Sequence, residues 1–125
     1  MAIPSRRLHA RYNCRLTIKV SSARLREPIE AVVFNLGMGG AFMRVRGTLD
    51  DPQVKLEVPS GREFFTIEGR VVRAGGPDPK DSRYTFYGVS FAMTERSEQK
   101  IKLLVDRVRS NTPGISVPMR DYWSI

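Results

Sequence analysis

The sequence predicts a small all-β domain, a six-stranded antiparallel β-barrel capped by one C-terminal α-helix. Polar and apolar residues alternate with a period of two from residue 14 onward. Turn residues separate these segments, and one amphipathic segment follows them. A chain of 125 residues is long enough for one such domain with a sizeable core and too short for two.

Each strand is predicted by a short alternating or apolar segment between turn residues. The predicted strands are residues 14–20, 29–36, 41–46, 54–58, 64–73 and 84–92. The sequence Pro59-Ser60-Gly61 predicts a turn after the fourth strand. Gly69 predicts a bulge or bend within the fifth, and residues 74–83, rich in Gly, Pro and Asp, are predicted as the longest loop.

A helix is predicted over residues 95–109. Thr94 is a suitable N-cap, and Pro113-Gly114 ends the segment. Its apolar residues follow the helical spacing i, i+3, i+4 and i+7: Ile101, Leu104, Val105 and Val108. The expected organisation is therefore a flexible basic arm (1–12), the barrel with its helix (13–110) and a tail (111–125) that packs on the barrel or serves as a docking segment.

The composition argues against an enzyme. The chain has one cysteine and one histidine, too few for an internal disulfide or an ordinary zinc site. His9 lies in an arginine-rich stretch, a poor position for a rigid catalytic base. No apolar run is long enough for a membrane helix, and the N-terminus does not resemble a secretory signal. We therefore expect a cytoplasmic protein with no metal, no catalytic residues and no membrane insertion.

The net charge of +8 is concentrated near the N-terminus. Residues 1–26 contain seven basic side chains and no acid, whereas the rest of the chain contains 14 basic and 13 acidic residues. This asymmetry predicts an anionic partner: a nucleic acid, a nucleotide or a membrane surface.

Two clusters are candidates for binding such a partner. The first contains Arg6, Arg7 and Arg11, whose planar guanidinium groups can pair with phosphate oxygens and with the O6 and N7 atoms of guanine. The second is the segment 35–40, Asn-Leu-Gly-Met-Gly-Gly. Its glycines allow a positive φ and close approach of a ligand to the backbone, and Asn35 offers both a donor and an acceptor.

Together the clusters resemble the two signature motifs of the PilZ domain family, R-x-x-x-R and [D/N]-x-S-x-x-G. Arg7 and Arg11 match the first motif, and Asn35 and Gly40 the second. The resemblance implies a PilZ-like barrel that binds the bacterial second messenger cyclic di-GMP without catalysis. Arg7 and Arg11, with Arg6 beside them, would clamp phosphates and guanine edges. Asn35 would bond a guanine and Gly40 would keep the turn open, while the arm folds onto the barrel and the signal passes to an unidentified protein partner.

Two alternatives remain open. Gly37 replaces the serine of the second motif, so the chain could be a degenerate PilZ-fold adaptor in motility or secretion that does not bind the nucleotide. The other alternative is a small basic barrel that binds RNA or DNA, although we expect no DNA partner. That function needs exposed aromatic stacking platforms. The candidates for such platforms are Phe64, Phe65, Tyr84, Phe86 and Tyr87.

Overall fold

The computed structural model describes residues 11–111, with side chains described through Arg109. It contains six strands followed by one helix. The elements are β1 (Arg11–Ser21), β2 (Ile29–Gly37), β3 (Gly40–Arg46), β4 (Gln53–Ser60), β5 (Glu63–Asp78), β6 (Asp81–Phe91) and α1 (Glu95–Asn111).

The six strands form a closed barrel in the order β1-β2-β3-β6-β5-β4, and β1 pairs with β4 to close it. Every pairing is antiparallel. The inward-facing side chains of the alternating segments fill the interior, as Ile18, Met43 and Ile67 show by being almost completely buried. The predicted six-stranded antiparallel barrel with a C-terminal helix is confirmed.

The prediction of a long loop over residues 74–83 is wrong. Strand β5 continues to Asp78 and β6 begins at Asp81, so the two strands are joined by a tight turn. The pairing register shifts three times between Val71 and Asp78 of β5, and Gly76 has a φ of 85°. The Gly and Pro residues are thus accommodated by irregularities of the strand, and they do not end it.

Gly69 is not a bulge, contrary to the expectation. It pairs in register with Val54 on one side and Phe91 on the other. A Cβ built on Gly69 would lie 2.6 Å from Cγ1 of Val89, so a larger residue would overlap this neighbour. The glycine is required for close packing of the side chain of Val89. At the predicted turn after β4, the strand continues through Ser60 and Gly61 has a φ of 65°.

Helix α1 covers the barrel through the predicted apolar face. Ile101, Leu104, Val105 and Val108 are all buried, and each such side chain contributes about 1.5–3 kcal/mol by leaving water. The helix begins with a reciprocal cap, in which the amide of Ser97 donates to Oγ1 of Thr94 and the amide of Thr94 donates to Oγ of Ser97. Nothing within residues 11–111 is a helix long and apolar enough to cross a membrane.

Candidate functional site

The candidate site lies on the outer face of the barrel, where β1 begins and β2 ends. Tyr12 pairs with Leu36. The side chain of Leu36 belongs to the core, and that of Tyr12 packs against it. Because side chains alternate along a strand, the neighbours of this pair point outward. Those neighbours are Arg11 and Asn13 on β1, and Asn35 and Gly37 on β2.

A bulge places Asn35 on this outer face. Val33 points into the core and pairs with Met43, whereas Asn35, two residues later, pairs with Phe42 on the adjacent position of β3. Phe34 is therefore the extra residue that shifts the alternation of β2. Strict alternation would have placed the asparagine inside the barrel with Val33.

Arg11 and Asn35 are joined by a hydrogen bond. Nη1 of Arg11 donates to Oδ1 of Asn35 at 3.5 Å, which links the first motif to the second across 24 positions of the sequence. Asn35 is completely buried, and its Nδ2 has no hydrogen-bond partner within the described range. An unpaired buried polar group costs about 1–3 kcal/mol, so the structure leaves this amide with a donor that lacks its usual compensation.

The turn between β2 and β3 consists of Met38 and Gly39, flanked by Gly37 and Gly40. The positive φ values expected here are not present, because the positive-φ glycines of the described residues all lie elsewhere. Gly40 is required for a different reason: a Cβ built on it would collide with the backbone carbonyl oxygen of Val89 on β6. The close approach is therefore between two strands of the barrel itself.

An aromatic cluster extends the outer face beyond Asn35. Phe42 stacks on Phe86 with ring centroids 5.8 Å apart, and Phe34 lies 6.2 Å from the same ring. Phe42 is 2% exposed although it lies outside the core cluster of the barrel. Because Tyr87 belongs to the core and Phe65 packs against it, these two are not surface stacking platforms.

Next to these rings, Arg44 makes two strong interactions. Its Nε donates to Oδ2 of Asp78 at 2.7 Å, and its guanidinium lies 3.6 Å from the ring centroid of Tyr84. The backbone amide of Lys80 also donates to Asp78, at 2.9 Å. These donors, the Lys80 amide first and the Arg44 guanidinium second, lower the pKa of Asp78 below its ordinary value.

The structure brings together four of the six residues singled out from the sequence: Arg11, Asn35, Gly37 and Gly40. Arg6 and Arg7 lie outside the described residues, as do the rest of the arm and the tail with Tyr122 and Trp123. Arg11 is positioned by β1, which starts three residues before the predicted Cys14. Asn13 was not identified from the sequence, because only the strand register shows that it faces Asn35.

Two further features of the described range bear on its chemistry. Burial raises the pKa of the Cys14 thiol to about 12, and this thiol donates to the carbonyl oxygen of Val33. Within residues 11–111, no group of three or more His, Cys, Asp and Glu side chains is arranged to hold a metal ion.

The structure is therefore a small closed six-stranded β-barrel, in which an arginine and an asparagine of the two motifs are joined on the outer face. The chain belongs to the PilZ domain family, whose family model matches residues 5–107. Members of this family are cyclic di-GMP receptors. No curated protein is similar enough in sequence to count as a match.

Solved structures share the fold at low sequence identity. The PilZ domain of YcgR from Escherichia coli, solved with c-di-GMP, has a TM-score of 0.66 and 14% identity over 89% of this chain and 100% of its own. The PilZ domain of CeSA from a cellulose-synthesizing bacterium has a TM-score of 0.59 and 20% identity, covering 79% and 97%. The inhibitor of motility MotI/DgrA from Bacillus subtilis has a TM-score of 0.60 and 18% identity over 90% of this chain, which spans only 56% of the length of that protein.

Proposed function

We propose that this chain is a cytoplasmic cyclic di-GMP receptor that passes the signal to a protein partner without catalysing a reaction. The observation that carries the proposal is the hydrogen bond between Arg11 and Asn35. It unites residues of both signature motifs on one outward-facing surface of a PilZ-family barrel.

The chemistry of the ligand matches this surface. Cyclic di-GMP has two negatively charged phosphodiester groups, which need cationic hydrogen-bond donors. It also has two guanine bases, each of which needs a donor and an acceptor. Arg11 supplies a guanidinium that can pair with phosphate oxygens or with O6 and N7 of guanine. Asn35 supplies a buried Nδ2 donor that lacks a partner within the described range. Arg6 and Arg7 are proposed to add two further guanidinium groups from the N-terminal residues.

The proposal is tested by titration calorimetry with cyclic di-GMP, the linear dinucleotide and cyclic di-AMP. We expect saturable binding of cyclic di-GMP in preference to both analogues. Arg11→Ala should weaken binding, whereas Arg15→Ala should not, since Arg15 is an exposed arginine of the same strand. A wild-type chain that releases no heat with cyclic di-GMP, or that binds all three nucleotides equally, would overturn the proposal.

A second candidate function is an adaptor that has lost the nucleotide, and Gly37 is the observation that favours it. The serine hydroxyl of the motif is missing at this buried position of β2. One lost neutral hydrogen bond costs about 0.5–1.5 kcal/mol, which weakens binding by up to roughly tenfold, and a guanine donor buried without any partner would cost about 1–3 kcal/mol. Because Arg11 and Asn35 are both present, we place the receptor first. The similarity to MotI, an inhibitor of motility, favours motility as the process regulated.

A further inference from the structure

Asn13 and Asn35 form a directly opposed pair on neighbouring strands. Their backbones are in register between β1 and β2, and both side chains point to the outer face. Oδ1 of Asn13 and Nδ2 of Asn35 are each buried without a hydrogen-bond partner. Within residues 11–109, only one other side-chain atom, Oγ of Ser22, is in that condition. Ser22 follows the opposite end of β1, far from the candidate site. The other two unpaired atoms, those of Asn13 and Asn35, both lie in the candidate site.

Irregular strand pairing surrounds this asparagine pair. The β1–β2 register shifts between Asn13 and Leu16, and the β2–β3 register shifts between Val33 and Asn35. Such irregularities are over-represented beside functional sites, where they redirect a side chain. Here the β2 irregularity turns Asn35 to the outer face, where Asn13 already lies by the regular alternation of β1.

We propose that Asn13 is a base-reading residue of the nucleotide site: Oδ1 of Asn13 accepts from N1–H of a guanine while Nδ2 of Asn35 donates to O6 of the same base. The inference rests on the proposed function and extends it to a residue outside both signature motifs. Oδ1 of Asn35 is already used by Arg11, which leaves its Nδ2 as the group directed to a ligand.

The donor–acceptor order of the pair distinguishes guanine from adenine. Guanine presents an acceptor, O6, beside a donor, N1–H, on one edge. Adenine presents the reverse order on that edge, a donor on N6 beside an acceptor at N1. An acceptor on Asn13 beside a donor on Asn35 therefore pairs with guanine. With adenine, the acceptor of Asn13 would face the acceptor N1, and the donor of Asn35 would face the donor N6. A site with buried polar groups rejects a base that leaves them unpaired.

The test compares the affinities of cyclic di-GMP and cyclic di-AMP for three proteins: wild type, Asn13→Ala and Thr17→Ala. Thr17 is an exposed residue of the same strand and provides the matched control. We expect Asn13→Ala to weaken cyclic di-GMP binding by up to about tenfold and not to weaken cyclic di-AMP binding, because the Asn13 acceptor does not pair with adenine. The ratio of the two affinities should fall in this variant and stay at the wild-type value in Thr17→Ala.

A purely structural role for Asn13 would lower the melting temperature of Asn13→Ala and leave the affinity ratio unchanged, which would overturn the inference. If the alanine variant does not fold, Asn13→Asp replaces it, because aspartate has nearly the same size and keeps an acceptor at Oδ1. Its charge should weaken both anionic dinucleotides alike, so the ratio should be retained, and a collapsed ratio would contradict base reading by this acceptor. If the wild-type protein binds cyclic di-GMP and Asn13→Ala keeps the wild-type ratio of the two affinities, this inference alone is refuted. Wild-type protein that does not bind refutes the proposed function as well.

Discussion

Nη1 of Arg11 donates a hydrogen bond to Oδ1 of Asn35, and this 3.5 Å contact joins the two signature motifs of the chain. Arg11 is the first residue of β1 and pairs in register with Gly37. The second arginine of the R-x-x-x-R motif is thus held by the barrel, and a ligand would meet it already next to Asn35. Under the proposed function, this contact would reduce the conformational entropy that the Arg11 side chain loses when the nucleotide binds.

Arg11→Ala is expected to weaken both cyclic di-GMP binding and folding. Removing the guanidinium leaves the buried Oδ1 of Asn35 without this donor, at a cost of about 1 kcal/mol because the bond is long. For a domain of this size that corresponds to a fall in melting temperature of roughly 4 °C. Arg7→Ala should reduce affinity with little change in melting temperature. Calorimetry and thermal denaturation of both variants check this, and an Arg11→Ala protein with wild-type affinity would place the ligand elsewhere.

Gly37→Ser is expected to tighten cyclic di-GMP binding by up to about tenfold, by restoring the hydroxyl of the second motif. Gly37 is absent from the positive-φ glycines of the described residues, so no left-handed backbone conformation opposes a serine at this position. The position is buried, and the added hydroxyl therefore needs a polar partner. Affinity is measured by titration and the melting temperature on the free protein. Unchanged affinity together with unchanged stability would mean that residue 37 does not face the ligand, and the adaptor function would then be favoured.

Gly40→Ala is expected to destabilise the free protein by about 1–3 kcal/mol, because the new Cβ would overlap the carbonyl oxygen of Val89. Ser90→Ala is the control, since Ser90 is the exposed register partner of Gly40. Denaturant unfolding of both variants measures the difference in free energy. Equal stability of the two variants would show that β3 and β6 can separate at this point without cost, and it would contradict the steric requirement for a glycine at position 40.

The alternation of polar and apolar residues identified the strands because it indicates which side chains enter the core. It does not indicate the register in which neighbouring strands pair. The positions of the strands and of the helix followed from local signals such as the alternation of Val54, Leu56 and Val58. The order of the strands in the barrel was not predicted. The position of Asn35 did not follow from local signals, because the bulge at Phe34 reverses the alternation and depends on pairing with β3. The extended hairpin through residues 74–83 was missed for a related reason. Its Gly and Pro residues are tolerated as register shifts, which depend on the opposite strand.

The Asp78 carboxylate is expected to make folding stability dependent on acid pH. Hydrogen bonds from the Lys80 amide and from Arg44 lower the pKa of Asp78, so the folded state favours the ionised form. The resulting stabilisation is present above the ordinary pKa of an aspartate, about 4, and is lost as the pH falls through the lower pKa of the folded state. Thermal denaturation from pH 6 to about pH 2 should show a smaller decline for Asp78→Asn than for wild type. Asp50→Asn, a change at an exposed loop residue, is the control, and parallel curves for wild type and Asp78→Asn would contradict the assignment.

Cys14 is expected to be an unreactive thiol in the folded protein. Burial raises its pKa to about 12 from an ordinary value of 9.0, so the thiolate at neutral pH is on the order of a thousandfold less abundant than in an exposed cysteine. Its Sγ also donates to the carbonyl oxygen of Val33 at 3.4 Å. Since this is the single cysteine of the chain, a thiol reagent reports on it alone. Labelling should be slow in buffer and fast in denaturant, with native-state rates that follow the opening of β1 from β2. Rapid labelling of the folded protein would show that this edge of the candidate site is open to solvent.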